Sequence, residues 1–196
     1  MTVISGYAQG LKTGIFEDPE QTLDKIVDEC QGLKSQLENV IFLSKLDSLE
    51  EPYHFERLEL NRLIIESLEK VESLIILDEI DVLFTPTNDI FIKGDHQKLR
   101  KALVNILTNC LKYTKSQLSI HVKQKEGQAS VSIKDDGPGF SDEILENAFS
   151  RSYIGEKGGT GLGLCIIKRV VEGHKGRISL ENVHPRGAKY HVQLPL

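Results

Sequence analysis

The chain has 196 residues, enough for one or two domains that each bury a core. Hydrophobic residues make up 39% and charged residues 27%, and the net charge is −5 with no basic run among aromatics, which argues against nucleic acid as a partner. No apolar stretch approaches the length of a membrane span, and the N-terminus does not read as a secretory signal. Cys30, Cys110 and Cys165 are scattered among apolar residues and read as reduced core thiols of a cytoplasmic protein, not as disulfides or metal ligands. The six histidines show no metal-ligand spacing and read as surface or satisfied side chains.

The first fifty or so residues carry helical signals alone. A short helix presents Ile4, Tyr7 and Leu11 on one face and ends near Gly14. Asp18-Pro19-Glu20 supplies an N-cap, a proline at the first helical position and an acid in the first turn of a second helix. Along it Leu23, Ile26, Cys30, Leu33, Leu37 and Val40 recur at alternating spacings of three and four, and Ser44 and Asp47 continue the register in polar form. That is the seam of a coiled coil or four-helix bundle. The pair reads as a helical hairpin, either part of one larger core or a separate dimerising bundle. The break at Glu50-Glu51-Pro52 favours the second.

Beyond Pro52 the period changes. Tyr53 to Leu58 alternates like a strand, and Asn61 can cap a helix running to about Ser73. Asp81 to Phe84 and Asp89 to Lys93 read as strands around Pro86-Thr87-Asn88. Asp95 caps a helix carrying Leu99, Ala102, Leu103, Ile106, Leu107 and Cys110. Leu118 to Lys125 and Ala129 to Lys134 form a hairpin around Glu126-Gly127-Gln128. A helix from Gly161 to about Glu172 and two strands, Arg177 to Glu181 and Lys189 to Leu194, complete the chain. Strands and helices mix without a βαβ repeat, so the fold class is α+β, with helices on one face of a mixed sheet.

Three segments carry chemistry. Asp135-Asp136-Gly137-Pro138-Gly139-Phe140 ends a strand with an acid beside two glycines. Gly158-Gly159-Thr160-Gly161-Leu162-Gly163-Leu164 opens into the following helix. An acid that can bond a base, and a glycine loop at a helix N-terminus that can hold phosphates, together describe a nucleotide pocket. On the Asp95 helix, Asn105 and Asn109 lie one turn apart on a shared face, with Lys112 and Tyr113 in the next turn. An asparagine oxygen suits Mg²⁺ beside phosphates, a lysine can meet a phosphate and a tyrosine ring can meet a base. Taken alone, that face reads as a polar helix surface with capping or solvent roles.

Asn105-xxx-Asn109-xx-Lys112-Tyr113, Asp135-x-Gly137-Pro138-Gly139, Phe149-x-Arg151 and Gly159-Thr160-Gly161-Leu162-Gly163-Leu164 occur in this order. Together they resemble the N, first glycine, F and second glycine boxes of bacterial sensor histidine kinases, within the ATPase superfamily shared with gyrase, Hsp90 and MutL. Thr2-Val3-Ile4-Ser5-Gly6-Tyr7 and Leu43-Ser44-Lys45-Leu46 resemble the dimerisation hairpin of such kinases. The resemblance implies a truncated dimerisation and phosphotransfer hairpin over residues 1–51, half of a dimeric four-helix bundle. A catalytic domain of the Bergerat type follows over residues 52–196, a two-layer sandwich with three helices on one face of its sheet. It implies ATP and Mg²⁺ as cofactors, with Asp135 accepting from the adenine amino group and Gly137 and Gly139 letting backbone approach the base. Asn109 would coordinate Mg²⁺ with Asn105 supporting the same face, and Lys112 and Arg151 would contact phosphate. Tyr113, Thr160, Leu162 and Leu164 complete the expected ATP set. Gly159, Gly161 and Gly163 would let the loop fold over the phosphates, and Phe149 to Gly158 would form a lid. Phe149 also reads as a core anchor. Gly187 resembles a third glycine element and reads equally as an ordinary turn glycine.

The gyrase, Hsp90 and MutL branch carries a water-activating glutamate where this chain has Asn105, and a neutral amide is no general base. The resemblance therefore implies a phosphoryl donor rather than a fast ATPase. The expected acceptor histidine, in a sequence like H-E-x-x-T-P-L, would fall about six residues before Met1 by motif spacing. None of His54, His96, His121, His174, His184 or His191 has that context. The chain reads as an N-terminally truncated kinase core that binds ATP without phosphorylating itself. Ser152 stands where the F box usually carries a second aromatic, and Cys110 replaces a usual alanine. The implied partners are a response-regulator receiver domain and a second copy through residues 1–50. The implied location is cytoplasmic, within a parent anchored in the cell membrane outside this segment. Two rivals stand beside this reading: an anti-sigma serine kinase of the same fold, which needs no such long hairpin, and a non-catalytic ATP-binding interaction module.

Overall fold

A computed structural model of the chain describes residues 2–47, 52–86, 88–149 and 162–196. It divides into two compact units, Met1–Ser44 and Lys45–Leu196.

The first unit is the helical hairpin of α1 (Thr2–Thr13) and α2 (Pro19–Asp47). Gly14, at φ +69°, ends α1 in the left-handed conformation, and Ile15 N–H returns to the Gly10 carbonyl at 3.0 Å. The turn is packed by Tyr7 against Phe16, ring centroids 6.0 Å apart, and a Cβ at Gly10 would overlap the Phe16 ring. Asp18 Oδ1 accepts the Gln21 N–H at 2.9 Å, which is the predicted N-cap of α2. The predicted seam is helical throughout, but within this unit it is not a core. Leu23, Leu33, Leu37 and Val40 are exposed, Leu37 by 61%. Cys30 is exposed too, whereas Cys110 and Cys165 are buried, so the expectation of three core thiols holds for two. A two-helix hairpin is too thin to cover a seam that runs the length of α2.

The second unit begins with β1 (Glu56–Glu59), α3 (Leu60–Glu69) and α4 (Glu72–Leu77). It continues with β2 (Asp81–Phe84), β3 (Phe91–Gly94), α5 (His96–Leu111), β4 (Gln117–Lys125) and β5 (Gln128–Asp135). Last come α6 (Asp142–Asn147), α7 (Leu162–Gly173), β6 (Arg177–Asn182) and β7 (Ala188–Pro195). A five-stranded sheet has the order β2-β4-β5-β7-β6, and β1 pairs with β3 in a two-stranded sheet. The β2–β4 pair is parallel and the other three pairings are antiparallel, so the sheet is mixed as expected. β2 and β3 were expected as neighbours around a turn, yet they enter different sheets.

Alternation decides the layers. Leu118, Ile120 and Val122 of β4, Ala129, Val131 and Ile133 of β5, and Tyr190, Val192 and Leu194 of β7 all face inward and are buried. Against them lie the buried faces of α3, α5 and α7, led by Ile64, Ile106, Ile166 and Val170. The β4–β5 hairpin closes through Glu126 at φ +53° and Gly127 at φ +75°, the pair of left-handed residues that a type I′ turn requires.

Several element boundaries differ from expectation, and three of the differences have a visible cause. Tyr53 to Phe55 are extended but lie outside the strand, because their rings pack on His174 instead of pairing a neighbour. Glu59, not Asn61, caps α3, accepting the N–H groups of Asn61 and Arg62 at 3.1 and 3.2 Å. The helix also breaks around buried Val71, which leaves α4 as a separate turn with no buried residue. Ile166→Ala should lower stability by about 2–5 kcal/mol, the usual range for emptying a fully buried aliphatic site. Denaturant titration would show this as a shifted midpoint of the second unit, while Leu37→Ala leaves that midpoint in place.

Candidate nucleotide site

Asp135 is the last residue of β5 and keeps its inward register, so its carboxylate is buried, 2% exposed. Its Oδ1 accepts two backbone N–H groups, Gly137 at 2.8 Å and Ala188 at 3.1 Å. Both bonds end on one oxygen, and Oδ2 takes no part in them. Burial pushes the carboxyl pKa up, and the bonds from Ala188 and Gly137 pull against it without prevailing.

Glycine is required around this acid. A Cβ at Gly137 would overlap the Tyr113 carbonyl oxygen. Gly139 has φ +86°, and a Cβ there would stand 2.7 Å from Asn182 Oδ1. Gly187 has φ +128°, and its Cβ would overlap the Asp135 carbonyl. It is thus more than an ordinary turn glycine: it lets the β6–β7 connection close on the end of β5.

α5 supplies the second side of the site. Asn105 and Asn109 face the first turn of α7, where a Cβ at Gly163 would lie 3.4 Å from Asn105 Oδ1 and 3.8 Å from Asn109 Nδ2. Those are ordinary contact distances, so the two asparagines by themselves do not require glycine at 163. Asn105 Nδ2 donates to its own helix, to the Lys101 carbonyl at 2.8 Å. A carboxylate at 105 could not make that bond. Leu162, Gly163 and Leu164 form the half-buried first turn of α7. Lys112 is exposed at the C-cap of α5, its Nζ 5.8 Å from the centre of the half-buried Tyr113 ring.

The structure brings Asn105, Asn109 and Gly163 together, and separately Tyr113, Asp135, Gly137 and Gly139. Phe149 follows buried Ala148 and is itself half-buried, with Lys168 Nζ 5.8 Å from its ring centre. Arg151, Gly159, Thr160 and Gly161, with most of the expected lid, lie outside the described residues.

Three residues beyond the sequence expectation complete the framework. Tyr190 is buried, its side chain lies beside that of Asn109, and it packs edge-on to Phe140 at 5.4 Å, so it joins the two clusters. Its signal was present in the alternation of β7. Asn182 clamps the glycine turn by accepting the Phe140 N–H at 2.7 Å and donating to the Phe140 carbonyl at 2.9 Å. Nothing local in the sequence marks it. Asp136 accepts the N–H groups of Lys115 and Ser116 and the Ser116 hydroxyl at 2.6 Å. Burial raises its pKa, but those hydrogen bonds prevail and hold the carboxyl well below the usual range.

Because the folded Asp135 carboxyl holds its proton more tightly than the ordinary value of 3.8, the folded state binds more protons above that pH than the unfolded chain. Stability contributed by this group therefore falls as pH rises from 3.8 through the raised folded pKa. Asp136, with its lowered pKa, acts in the opposite sense. Urea titrations across pH should show Asp135→Asn losing the falling component while keeping the rise due to Asp136. An unchanged pH profile would show that Asp135 is not strained by burial.

Residues 94–196 match the family described as Histidine kinase-, DNA gyrase B-, and HSP90-like ATPase. The sensor histidine kinase CssS of Bacillus subtilis is 36% identical over 199 residues, which cover 98% of this chain and 43% of that protein. Sensor protein kinase WalK of Staphylococcus saprophyticus is 30% identical over 208 residues, covering 100% of this chain and 34% of that protein. The chain thus spans less than half the length of these curated relatives. Among solved structures, Acinetobacter baumannii histidine kinase AdeS has the same fold, with a TM-score of 0.80 over 99% of this chain and 93% of that chain at 19% identity. Histidine kinase ThkA, solved in complex with response regulator protein TrrA, gives a TM-score of 0.81 over 99% of this chain and 57% of that chain at 25% identity. With its mixed sheet, buried acid and glycine-built turns in the matching order, the chain belongs to the histidine kinase-, gyrase B- and Hsp90-like ATPase family and carries the ATP-binding domain of a bacterial sensor histidine kinase.

Proposed function

We propose that residues 52–196 hold ATP with Mg²⁺ and donate its γ-phosphoryl group to a histidine on a dimerisation helix, from which it passes to a response-regulator aspartate. The observation that carries this reading is Asp135, a buried carboxylate with one oxygen fixed by two backbone donors. In this reading the other oxygen accepts from the adenine amino group. Guanine presents an oxygen at that position and would meet the carboxylate with repulsion. Asn109, beside Tyr190, offers a hard oxygen to magnesium. Among the described residues no group of three or more His, Cys, Asp or Glu gathers to hold a metal, so the ion would be shared with phosphate and water. Lys112 at the exposed end of α5 meets the phosphates, and Arg151, Gly159, Thr160 and Gly161, which lie outside the described residues, are the further phosphate contacts of this reading.

The chemistry asked of these residues is placement and charge neutralisation. The bond from the γ-phosphorus to the bridging oxygen breaks, ADP leaves, and an imidazole nitrogen takes the phosphoryl. Asn105 spends its amide on Lys101 and supplies no base to activate water, which leaves that transfer as the productive route. Residues 1–51 serve as the dimerisation hairpin, and the exposed seam of Leu23, Leu33, Leu37 and Val40 is what a second copy would cover. No described helix is long and apolar enough to cross a membrane.

Asp135→Asn and Asn109→Asp should each weaken ATP·Mg²⁺ binding by about tenfold or more, the scale of one buried polar contact or a mispaired charge. Isothermal calorimetry checks this, and unchanged affinity removes those residues from the site. Incubated with γ-labelled ATP, the chain should acquire no acid-labile phosphate on any of its six histidines, and should label a helical hairpin that supplies the H-E-x-x-T-P-L sequence. Stable self-labelling on histidine would overturn the assignment of the acceptor to another segment.

A further inference from the structure

His174 is buried, 3% exposed, immediately after the last turn of α7, at the opposite end of that helix from Gly163. Its ring bonds fix its tautomer. Nε2 accepts the Asp95 N–H at 2.8 Å, so the proton sits on Nδ1, which donates to the Val170 carbonyl at 2.7 Å. Asp95 is the N-cap of α5, with Oδ1 accepting the Lys98 N–H at 3.0 Å. One imidazole thus ties the C-terminal end of α7 to the N-terminal end of α5.

The two helices run antiparallel. From Asp95 to Asn105 is ten residues, and from His174 back to Gly163 is eleven. At 1.5 Å per residue those arms are roughly 15 and 16 Å long. Their far ends meet where Gly163 faces Asn105 and Asn109. The pin at one end therefore sets the register at the other. The fit at the pin is close: a Cβ at Gly94 would lie 3.2 Å from His174 Cδ2 and 2.5 Å from Leu99 Cδ1.

The segment entering the domain is built into the same pin. His54 N–H donates to Asp95 Oδ2 at 3.0 Å, and Lys98 Nζ reaches that oxygen at 3.1 Å. Tyr53 and Phe55 each meet the His174 ring edge-on at 5.2 Å and stack on each other at 5.7 Å. Lys98 Nζ lies 4.9 Å from the Tyr53 ring centre, and a Cβ at Gly173 would overlap the Tyr53 hydroxyl.

We propose that His174 is a positioning residue for the nucleotide site: as the neutral Nδ1–H tautomer it fixes the register of α5 against α7, and the Tyr53–Phe55 segment seated on its ring makes that register answer to the chain entering the domain. This inference rests on the ATP-binding reading above. Protonation would replace the Nε2 acceptor with a donor facing the Asp95 N–H. The groups facing the ring are Asp95 and Lys98 of α5 and Tyr53 of the entering segment, while β3 meets it through Gly94 and α7 through the Val170 carbonyl. Burial lowers the His174 pKa, outweighing the Val170 bond and Asp95, and Lys98 acts in the same direction as burial. The pinned form is therefore complete above the ordinary value of 6.5 and is lost as pH falls below it, through the lowered pKa.

The test is calorimetric binding of a non-hydrolysable ATP analogue with Mg²⁺ to the whole chain between pH 5 and pH 7.5. The proteins are wild type, His174→Gln, His174→Leu and Tyr53→Leu, with circular dichroism reporting folding. His174→Gln keeps an acceptor at the position of Nε2. It should bind within about threefold of wild type at neutral pH and lack the wild-type loss of affinity toward acid. His174→Leu should bind about tenfold more weakly, and Tyr53→Leu about threefold more weakly. If His174→Leu does not fold, the pH profiles of wild type and His174→Gln decide. Superimposable profiles overturn the inference, as does a folded His174→Leu with wild-type affinity. Ring ¹⁵N shifts showing a protonated Nε2 in wild type near neutral pH would overturn it directly. Unchanged affinity in Tyr53→Leu overturns the link to the entering segment. No binding by wild type overturns the ATP-binding reading and this inference with it, whereas tight wild-type binding with the failures above overturns the inference alone.

Discussion

The site depends on one oxygen atom. Asp135 Oδ1 gathers the N–H of Gly137 from the turn that follows it and the N–H of Ala188 from the start of β7. A buried carboxylate with unpaired oxygens would be costly, so the turn and the neighbouring strand must both come to it. Two glycines make that approach sterically possible, Gly137 beneath the Tyr113 carbonyl and Gly187 beneath the Asp135 carbonyl. The adjacent Asp136 binds the residues leading into β4. Two consecutive acids therefore fix the end of β5 from both sides.

The same economy applies on α5. Asn105 bonds its own helix through an amide hydrogen that a glutamate would not have. The amide at 105 is thus a residue type that the helix itself uses locally. Asn109 lies beside Tyr190 of the sheet, so the two asparagines differ in their neighbours although the sequence presents them as a repeat. Sheet and helix meet at Tyr190, which also packs on Phe140 of the glycine turn.

Features whose physics is local were legible in the sequence. β2 was read at its observed bounds, the Asp95 and Asp18 caps make the bonds expected of them, and the Glu126-Gly127 turn has the backbone its residues favour. Features set by distant partners were not. The pairing of β3 with β1 depends on residues more than thirty positions earlier in the chain. Asn182 acts on Phe140 forty-two residues away. α6 is a six-residue helix with Ser141 as its cap and no buried residue, so it has no apolar period to detect. The seam of α2 was visible as a pattern, but a pattern shows that a face is to be covered and not which surface covers it. Motif order placed the candidate site as a whole, while the residues that bind its pieces together, Tyr190 and Asn182, appear once the strands are in register.

The unequal burial of the three cysteines has a practical consequence. Cys110 and Cys165 are sealed in the second unit, and Cys30 lies open on α2 in the seam register. A maleimide dye added to the native chain would therefore mark the hairpin without any cysteine being introduced. Its rate of attachment would fall wherever a second helix covers that stripe. The protein thus carries its own chemical footprint for the seam of α2.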